Sequence, residues 1–323
     1  MKKRIELVTA VIGAGAQVTG CRFGPDALIA SGIVAALRDA GHAAFHDAGR
    51  SAVRDLSCDA DPAQAAQAAD KMATVSAFTP RLADTVRGVV ANGRFPLVLG
   101  GDHSCAVGTW SGIADAWHAT GRIGLIWIDA HLDSHTPQTS DSQAPHGMPL
   151  AALLGHGAPA LTDLYDWRAK LLPQHVVVIG ARSYEPGEMA LLQRLGVRVM
   201  DIDEVERRGL NACVAEAIDI VSRGTHGYGV TFDLDAIDPG DVSAVGSPEA
   251  RGIGADAAVA ALRGFAGDAR LLGFELVEYN PELDDAARRG AAVCRELVMA
   301  ALGTDATAGA PPHAAAGYAP LAA

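Results

Sequence analysis

The fold is decided by one stretch of the chain, IGLIWIDAHLD, which runs from Ile123 to Asp133. Its first six residues are apolar or glycine, and such an unbroken run is typical of a β-strand that is covered on both faces. A strand of this kind belongs to a parallel sheet with helices on both sides. Polar residues follow at once, at the carboxyl end of the strand, where parallel sheets form binding sites.

Similar apolar runs recur along the chain, and they alternate with helical patterns. Eight segments are predicted as strands: Ile5–Ile12, Ala43–Asp47, Phe95–Leu99, Ile123–Ile128, Val176–Ile179, Val197–Met200, Tyr228–Phe232 and Leu271–Phe274. The alternation predicts an α/β fold, with a parallel sheet between two layers of helices.

Proline and glycine mark the ends of the predicted helices. One helix is predicted from Pro25 to just before Gly41, one from about Pro62 with a break or kink at Pro80, and one from near Pro186 to residue 196. The chain contains no internal repeat and no linker, so residues 1–303 are predicted to form a single catalytic domain. Residues 304–323 are rich in Ala, Gly and Pro and are predicted to be a disordered tail.

Composition narrows the class of protein. The chain has 323 residues, of which 49% are hydrophobic, and a formal charge of −12 that argues against nucleic acid or an anionic membrane as a partner. It has no apolar run near the roughly 20 residues that span a bilayer. The five cysteines are scattered without a Cys-x-x-Cys pair, which predicts reduced thiols in a cytoplasmic protein.

Two further polar strings follow predicted strands. Gly-Gly-Asp-His-Ser places His103 after Phe95–Leu99, and Asp233-Leu-Asp235 follows Tyr228–Phe232. The first could be only a tight turn that feeds a capped helix. Because the carboxyl ends of parallel strands lie at one edge of the sheet, we expect all three strings to converge. In extended backbone, residues i, i+2 and i+4 share a face, so the acidic and histidine side chains of each string are expected to point the same way.

Together the strings supply four carboxylates and two imidazoles. Two divalent cations would neutralise the four negative charges, and this ligand set suits Mn²⁺, Fe²⁺ or Co²⁺ better than a structural zinc site. In the predicted sharing, two aspartates bridge the metals and the remaining residues complete one site each. The bridges are Asp129 and Asp233, one site is completed by His103 and Asp133, and the other is completed by His131 and Asp235. A water between metals about 3.5 Å apart would lose a proton near neutral pH and become a nucleophile.

A lone histidine, His146, lies downstream in His-Gly-Met-Pro149. It could merely satisfy a loop carbonyl. Since the metal ligands are already accounted for, we interpret it instead as a proton shuttle.

These strings, with Ser142-x-x-x-His146-Gly-Met-Pro149 and Glu278-Tyr-Asn-Pro281, closely resemble the arginase/ureohydrolase family from the first strand to about Leu302. The resemblance implies a three-layer α/β/α fold around an eight-stranded parallel sheet, and eight strands are predicted above. It also implies two Mn²⁺ ions and hydrolysis of the guanidino group of L-arginine to urea and L-ornithine by a metal-bridging hydroxide. Family members are commonly trimers or hexamers, so a homo-oligomer is expected.

The resemblance also implies roles for individual residues. His146 shuttles protons, Glu278 meets the guanidinium, Asp233 bridges the metals and accepts the proton of the attacking hydroxide, and Ser247 lies near the substrate. The substrate α-carboxylate would be held by His135, Ser140 and Ser142, and the α-ammonium by Glu185. His135 departs from the asparagine usual in the family, and Glu185 departs from the usual aspartate.

Three other functions remain to be weighed. The nearest is hydrolysis of another guanidino compound, such as agmatine or 4-guanidinobutyrate, although agmatine has no carboxylate for the polar loop to bind. A single-zinc deacylase and a non-catalytic relative are the others. The complete set of six metal ligands argues against both.

Overall fold

The structure is a computed structural model that describes residues 3–41, the strand at 51–54, and residues 71–303. In this part of the chain, eight strands form one sheet in which every pair is parallel, in the order β2-β1-β3-β8-β7-β4-β5-β6. The strands are β1 (Ile5–Val11), β2 (Ser51–Arg54), β3 (Phe95–Gly100), β4 (Ile123–Ile128), β5 (Val176–Ala181), β6 (Arg198–Asp201), β7 (Gly227–Asp233) and β8 (Leu271–Val277).

Helices lie between the strands in chain order. They are α1 (Gly24–Ala30), α2 (Ile33–Asp39), α3 (Lys71–Ala91), α4 (Ala106–Trp117), α5 (Pro149–Leu153), α6 (Pro159–Thr162), α7 (Pro186–Leu195), α8 (Ile202–Arg208), α9 (Leu210–Ser222), α10 (Ala255–Leu262) and α11 (Arg289–Leu302). Short 3₁₀ turns follow two of the central strands, at His103–Cys105 and Leu234–Ala236.

The sheet separates two hydrophobic cores. Successive residues of β4 enter them alternately: Ile126 and Ile128 pack in one core, and Leu125 and Trp127 pack in the other. This alternation explains why the strand is apolar at every position, since both faces are covered by helices. The predicted α/β class, a parallel sheet between layers of helices, is therefore confirmed.

Seven of the eight predicted strands are present. The remaining one, Ala43–Asp47, lies outside the described residues, and the edge strand that pairs with β1 is Ser51–Arg54 instead. The predicted tail at 304–323 also lies outside the described residues.

The helix predictions need two corrections. The helix predicted from Pro25 is two helices, because the backbone at Gly32 takes a left-handed φ of +92° and breaks the first hydrogen-bond ladder. The described part of the next helix continues through Pro80 on both sides, so this proline does not end it. The helix predicted at Pro186 is confirmed.

Within the described ranges, no single helix is both long and apolar enough to cross a membrane. One bent pair, Thr19–Ala30 with Ile33–Asp39, meets the criteria of length and composition when its two parts are taken together. The four cysteines that the structure describes are free and buried.

Candidate metal centre and substrate pocket

Four neighbouring strands bring the polar strings together. The order β3-β8-β7-β4 is continuous in the sheet, and adjacent strands are spaced by about 4.8 Å. His103 follows β3, Asp129 follows β4, Asp233 ends β7, and Glu278 follows β8. All four lie at the carboxyl edge of the sheet, although they are up to 175 residues apart in sequence.

The first group surrounds the buried ring of His103. Its Nδ1 atom lies 3.2 Å from Oδ2 of Asp129, 3.1 Å from Oδ2 of Asp133 and 3.0 Å from Oδ2 of Asp233. Despite these neighbours, Nδ1 makes no hydrogen bond of acceptable geometry. The imidazole nitrogen and the carboxylate oxygens of Asp129 and Asp233 lie close enough together to hold a divalent cation, and an oxygen of Asp133 lies beside the same nitrogen.

The second group is built around His131. Its Nδ1 atom lies 3.1 Å from Oδ2 of Asp235 and 3.4 Å from Oδ1 of Asp129. The two oxygens of Asp129 thus face different histidines, and its role as a bridging ligand remains a prediction. Asp233 belongs to the first group, and its Oδ1 accepts the backbone N–H of Asp235 at 2.8 Å. Its role as a second bridge remains a prediction.

The backbone brings these side chains together in a different way from the one predicted. Asp133 has a left-handed φ of +45°, and Asp235 lies in a 3₁₀ turn, so neither string is an extended strand with alternating faces. Each string is folded by its own aspartate, because a carboxylate accepts the N–H two residues ahead. Asp129 accepts from His131 at 2.7 Å, and Asp102 in the same way accepts from residue 104 at 3.0 Å.

The charges of the two groups favour a bound cation. Burial raises the pKa of Asp133, Asp233 and Asp235, and the nearby carboxylate of Asp129 raises all three further. The pKa of Asp235 reaches about 6. Burial lowers the pKa of His103, but the surrounding carboxylates outweigh that effect and raise it well above its usual value. Both kinds of shift favour bound protons over unpaired carboxylates. Two divalent ions would neutralise the same negative charge. The donor set and the geometry fit the expected metals.

Trp127, in β4, contacts two members of the first group, His103 and Asp129. Its ring stacks on that of His103, with the ring centroids 4.2 Å apart and the planes inclined by 17°. Its Nε1–H donates to Oδ2 of Asp129 at 2.8 Å. This buried tryptophan was not identified as a site residue from sequence, where it reads as one more apolar residue of a buried strand.

His146 and Glu278 form a pair beside the metal groups. Nδ1 of His146 lies 3.1 Å from Oε1 of Glu278, which also accepts the backbone N–H of His103 at 2.8 Å. Burial lowers the pKa of His146, but the hydrogen bond to Glu278 outweighs it and raises the pKa to about 9. Glu278 has a φ of +64°, a strained conformation that is common in functional sites. The structure thus places His146, the predicted proton shuttle, in contact with the carboxyl group of Glu278.

Three residues define the outer part of the pocket. Nε2 of His135 lies 2.8 Å from Oε2 of Glu185 and 3.3 Å from Oε2 of Glu188. Nδ1 of His135 lies 3.1 Å from the hydroxyl of Thr139, so both ring nitrogens have partners within the protein. Burial and the Glu185 carboxyl group raise the pKa of Glu188 to about 8.

Glu188 was missed in the sequence analysis. It forms a capping box with Glu185 at the start of α7, and the spacing Glu-Pro-Gly-Glu is the sequence signal for that motif. Ser142 and Ser247 line the same pocket as His135, and their predicted contacts with the substrate remain a prediction. Ser140 is buried beside this lining, where its hydroxyl accepts the N–H of residue 143 at 3.0 Å.

Arg182, just after β5, ties the loop at 249–250 to the centre. Its Nη2 donates to the carbonyl of Asp235 at 2.7 Å and to that of Glu249 at 2.9 Å, and its Nε donates to that of Ala250 at 2.9 Å. Glu249 in turn accepts the hydroxyl of Ser183 at 3.0 Å. Neither Arg182 nor Glu249 was predicted to belong to the site.

A parallel α/β/α sheet with two histidine–carboxylate groups that share an aspartate at its carboxyl edge defines a class, the metal-dependent hydrolases with a two-ion centre. Comparison with known proteins gives the family within that class. The profile described as "Arginase family" matches residues 4–303, and the chain belongs to this family.

The relatives support this assignment over nearly the whole chain. The arginase of Bacillus caldovelox is 36% identical over 296 residues, which cover 88% of this chain and 93% of the relative. The arginase of Bacillus subtilis strain 168 is 34% identical over 303 residues, or 94% and 99% of the two chains. The crystal structure of the Bacillus cereus arginase superimposes with a TM-score of 0.82 at 32% identity and covers 94% of this chain and 99% of that one. The chain is thus a metal-dependent hydrolase of the ureohydrolase type.

Proposed function

We propose that this protein hydrolyses the guanidino group of L-arginine to urea and L-ornithine, with two Mn²⁺ ions as cofactors. The observation that carries the proposal is the position of Asp129, whose two carboxylate oxygens face His103 and His131 in separate groups at one sheet edge. The arginases that match this chain over nearly its full length support the choice of substrate.

The proposed ligands are His103 and Asp133 for one ion, His131 and Asp235 for the other, and Asp129 and Asp233 between them. When bound, the ions supply the Lewis acidity that activates a water molecule at neutral pH. Carboxylate and imidazole donors favour Mn²⁺, and they also accept Co²⁺ or Fe²⁺.

His146 and Glu278 would handle the substrate's guanidinium and the leaving nitrogen. The carboxylate of Glu278 offers the cation a charge-assisted hydrogen bond. A pKa of about 9 keeps His146 protonated at neutral pH, so it can donate a proton to the side-chain nitrogen as the carbon–nitrogen bond breaks. The released ornithine then leaves as an amine.

Recognition of the amino-acid head group would fall to the outer residues. Glu185 and Glu188 present carboxyl groups for the α-ammonium. Ser142 offers a hydroxyl to the α-carboxylate, with the hydroxyl of Ser140 next to it, and Ser247 lines the same pocket. The ring of His135 must exchange one of its protein partners before it can donate to the substrate.

The hydrogen bonds of His135 favour a second candidate substrate. Because both nitrogens of His135 are already bonded, the outer pocket presents more negative than positive groups to a ligand. A guanidino compound with a cationic end and no carboxylate, such as agmatine, fits that charge better than 4-guanidinobutyrate does.

A direct comparison of substrates tests both candidates. Urea release by the Mn²⁺-loaded protein is measured as kcat/KM for L-arginine, agmatine and 4-guanidinobutyrate. We expect arginine to be preferred by at least about 100-fold, which corresponds to about 2.7 kcal/mol. A preference for agmatine would keep the metal centre and replace the substrate. If two ions bind and none of the three is hydrolysed, the guanidino assignment is wrong.

We further propose a homo-oligomer, a trimer or a hexamer, on the basis of the family resemblance, and a cytoplasmic location on the basis of the scattered cysteines. Light scattering on the purified chain tests the oligomeric state directly, and a monomer at micromolar concentration would contradict it.

A further inference from the structure

One fully buried carboxyl group lies behind the metal centre and has no part in the chemistry above. Glu275, in β8, has no exposed surface. Its hydrogen-bond donors are neutral side chains: Nε1 of Trp110 at 2.9 Å, the hydroxyl of Thr231 at 2.8 Å, and the thiol of Cys105 at 3.7 Å. A carboxyl group in such a place is costly to bury, and the fold must gain something from it.

Strand register places Glu275 next to Thr231, which contacts the proposed metal ligand His103. Thr231 in β7 is the register partner of Glu275 in β8, so the two side chains lie side by side on one face of the sheet. Gly229 lies two residues before Thr231 on the same face, and a Cβ there would overlap the ring of Trp110. The glycine therefore makes room for the indole that donates to Glu275.

The hydrogens along this chain of contacts can be assigned. Trp110 can only donate, and it does so to Oε2 of Glu275. Thr231 gives its single hydroxyl hydrogen to the same oxygen, which leaves only lone pairs on the hydroxyl for Nε2 of His103, 3.0 Å away. Nε2 must therefore carry a hydrogen, and Nδ1 is the nitrogen free to bind a metal among the carboxylates of the first group.

We propose that Glu275 is a positioning residue, which acts through Thr231 to hold the His103 ring with Nδ1 toward the carboxylates and so raises the affinity of the centre for divalent ions. The proposal rests on the metal centre of the proposed function, but not on the identity of the substrate. Outer partners of metal-binding histidines typically change metal affinity by about 10- to 100-fold.

A double-mutant cycle on the full chain tests it, with Mn²⁺ affinity measured by competition with a fluorescent chelator and without substrate. Thr231→Val removes the hydroxyl at constant shape, and Glu275→Met removes the acceptor. We expect each to weaken Mn²⁺ binding by about tenfold or more. If Glu275 acts through Thr231, the double variant binds no more than threefold more weakly than Thr231→Val alone, because the connection is already broken.

Two further variants serve as controls. Thr9→Val makes the same change at a fully buried strand threonine whose hydroxyl has no partner among the described residues, and it should leave Mn²⁺ affinity unchanged. Glu275→Gln keeps an acceptor for Thr231 and should bind within threefold of the wild type.

Losses that multiply in the double variant, or an unchanged affinity in either single variant, would overturn the proposal, since a role in packing alone predicts independent effects. If Glu275→Met does not fold, Thr231→Val is compared with Thr231→Ser, which keeps the hydroxyl. Equal affinities for these two variants would also contradict the proposal. Because substrate is absent from these measurements, a failure to hydrolyse arginine would not affect the result.

Discussion

Replacing Trp127 with phenylalanine isolates one hydrogen bond at the centre of the site. The phenyl ring can keep the stacking on His103, where the ring centroids are 4.2 Å apart. What is lost is the indole N–H that donates to Oδ2 of Asp129 at 2.8 Å. Since that carboxylate is fully buried, water cannot replace the missing donor.

The size of the effect follows from the charge of the acceptor. A hydrogen bond to a charged group contributes about 1.5–3 kcal/mol. Because the bond also orients a carboxylate that is a proposed metal ligand, we expect its loss to weaken metal binding as the loss of an outer partner typically does, by about 10- to 100-fold. Because Asp129 is shared by both groups, we expect the occupancy of the two ions to fall together when Mn²⁺ is limiting, not one ion after the other.

Mn²⁺ affinity and stoichiometry, measured by chelator competition and by metal analysis after gel filtration, check this prediction. Trp117→Phe is a matched control, because Trp117 also stacks on a histidine, His226, with centroids 4.1 Å apart. Within the part of the chain that the structure describes, the Nε1 atom of Trp117 has no hydrogen-bond partner, so its loss should not change metal binding. Wild-type affinity in Trp127→Phe, or an equal loss in both variants, would refute the reasoning.

Three other predictions concern residues around the centre. Gly229→Ala should lower the stability of the fold by about 1–3 kcal/mol, because the new methyl group overlaps the ring of Trp110; a wild-type midpoint in urea would contradict this. Arg182→Met should lower kcat/KM for urea release by tenfold or more, since the loop at 249–250 loses the hydrogen bonds that hold it. Arg182→Lys should recover only part of this loss, because lysine lacks the planar fork of donors. In chelator-treated protein, Glu278 raises the pKa of His146 from 6.5 to about 9, so the imidazolium stabilises the fold fully below pH 6.5 and this contribution is lost as the pH rises through 9. The difference in unfolding free energy between wild type and His146→Gln should therefore shrink over that range by at most about 3 kcal/mol, and a difference that does not vary with pH would show that the pair is not charged.

Local patterns were enough to predict much of the architecture. Unbroken apolar runs identify β4 and β5 as buried parallel strands, because a strand with helices on both faces can be apolar at every position. The position of Asp129 and Asp233 directly after such strands was enough to predict where a site forms. The edge strand β2 was not predicted, because its four residues, Ser51–Arg54, carry too short an apolar pattern to identify a strand. The strand predicted at Ala43–Asp47 lies outside the described residues and stays a prediction.

The sequence by itself determined the kind of strands, the sheet edge that carries the site, and the donor atoms available there, because these depend on residue type and on neighbours in the chain. Only the tertiary structure decided which distant groups meet. It places β3, β8, β7 and β4 side by side, turns Asp133 through a left-handed backbone, and sets Thr231 against Glu275 behind His103. No local pattern contains these contacts, since strand order and register minimise the energy of the whole packed sheet and not of any one segment.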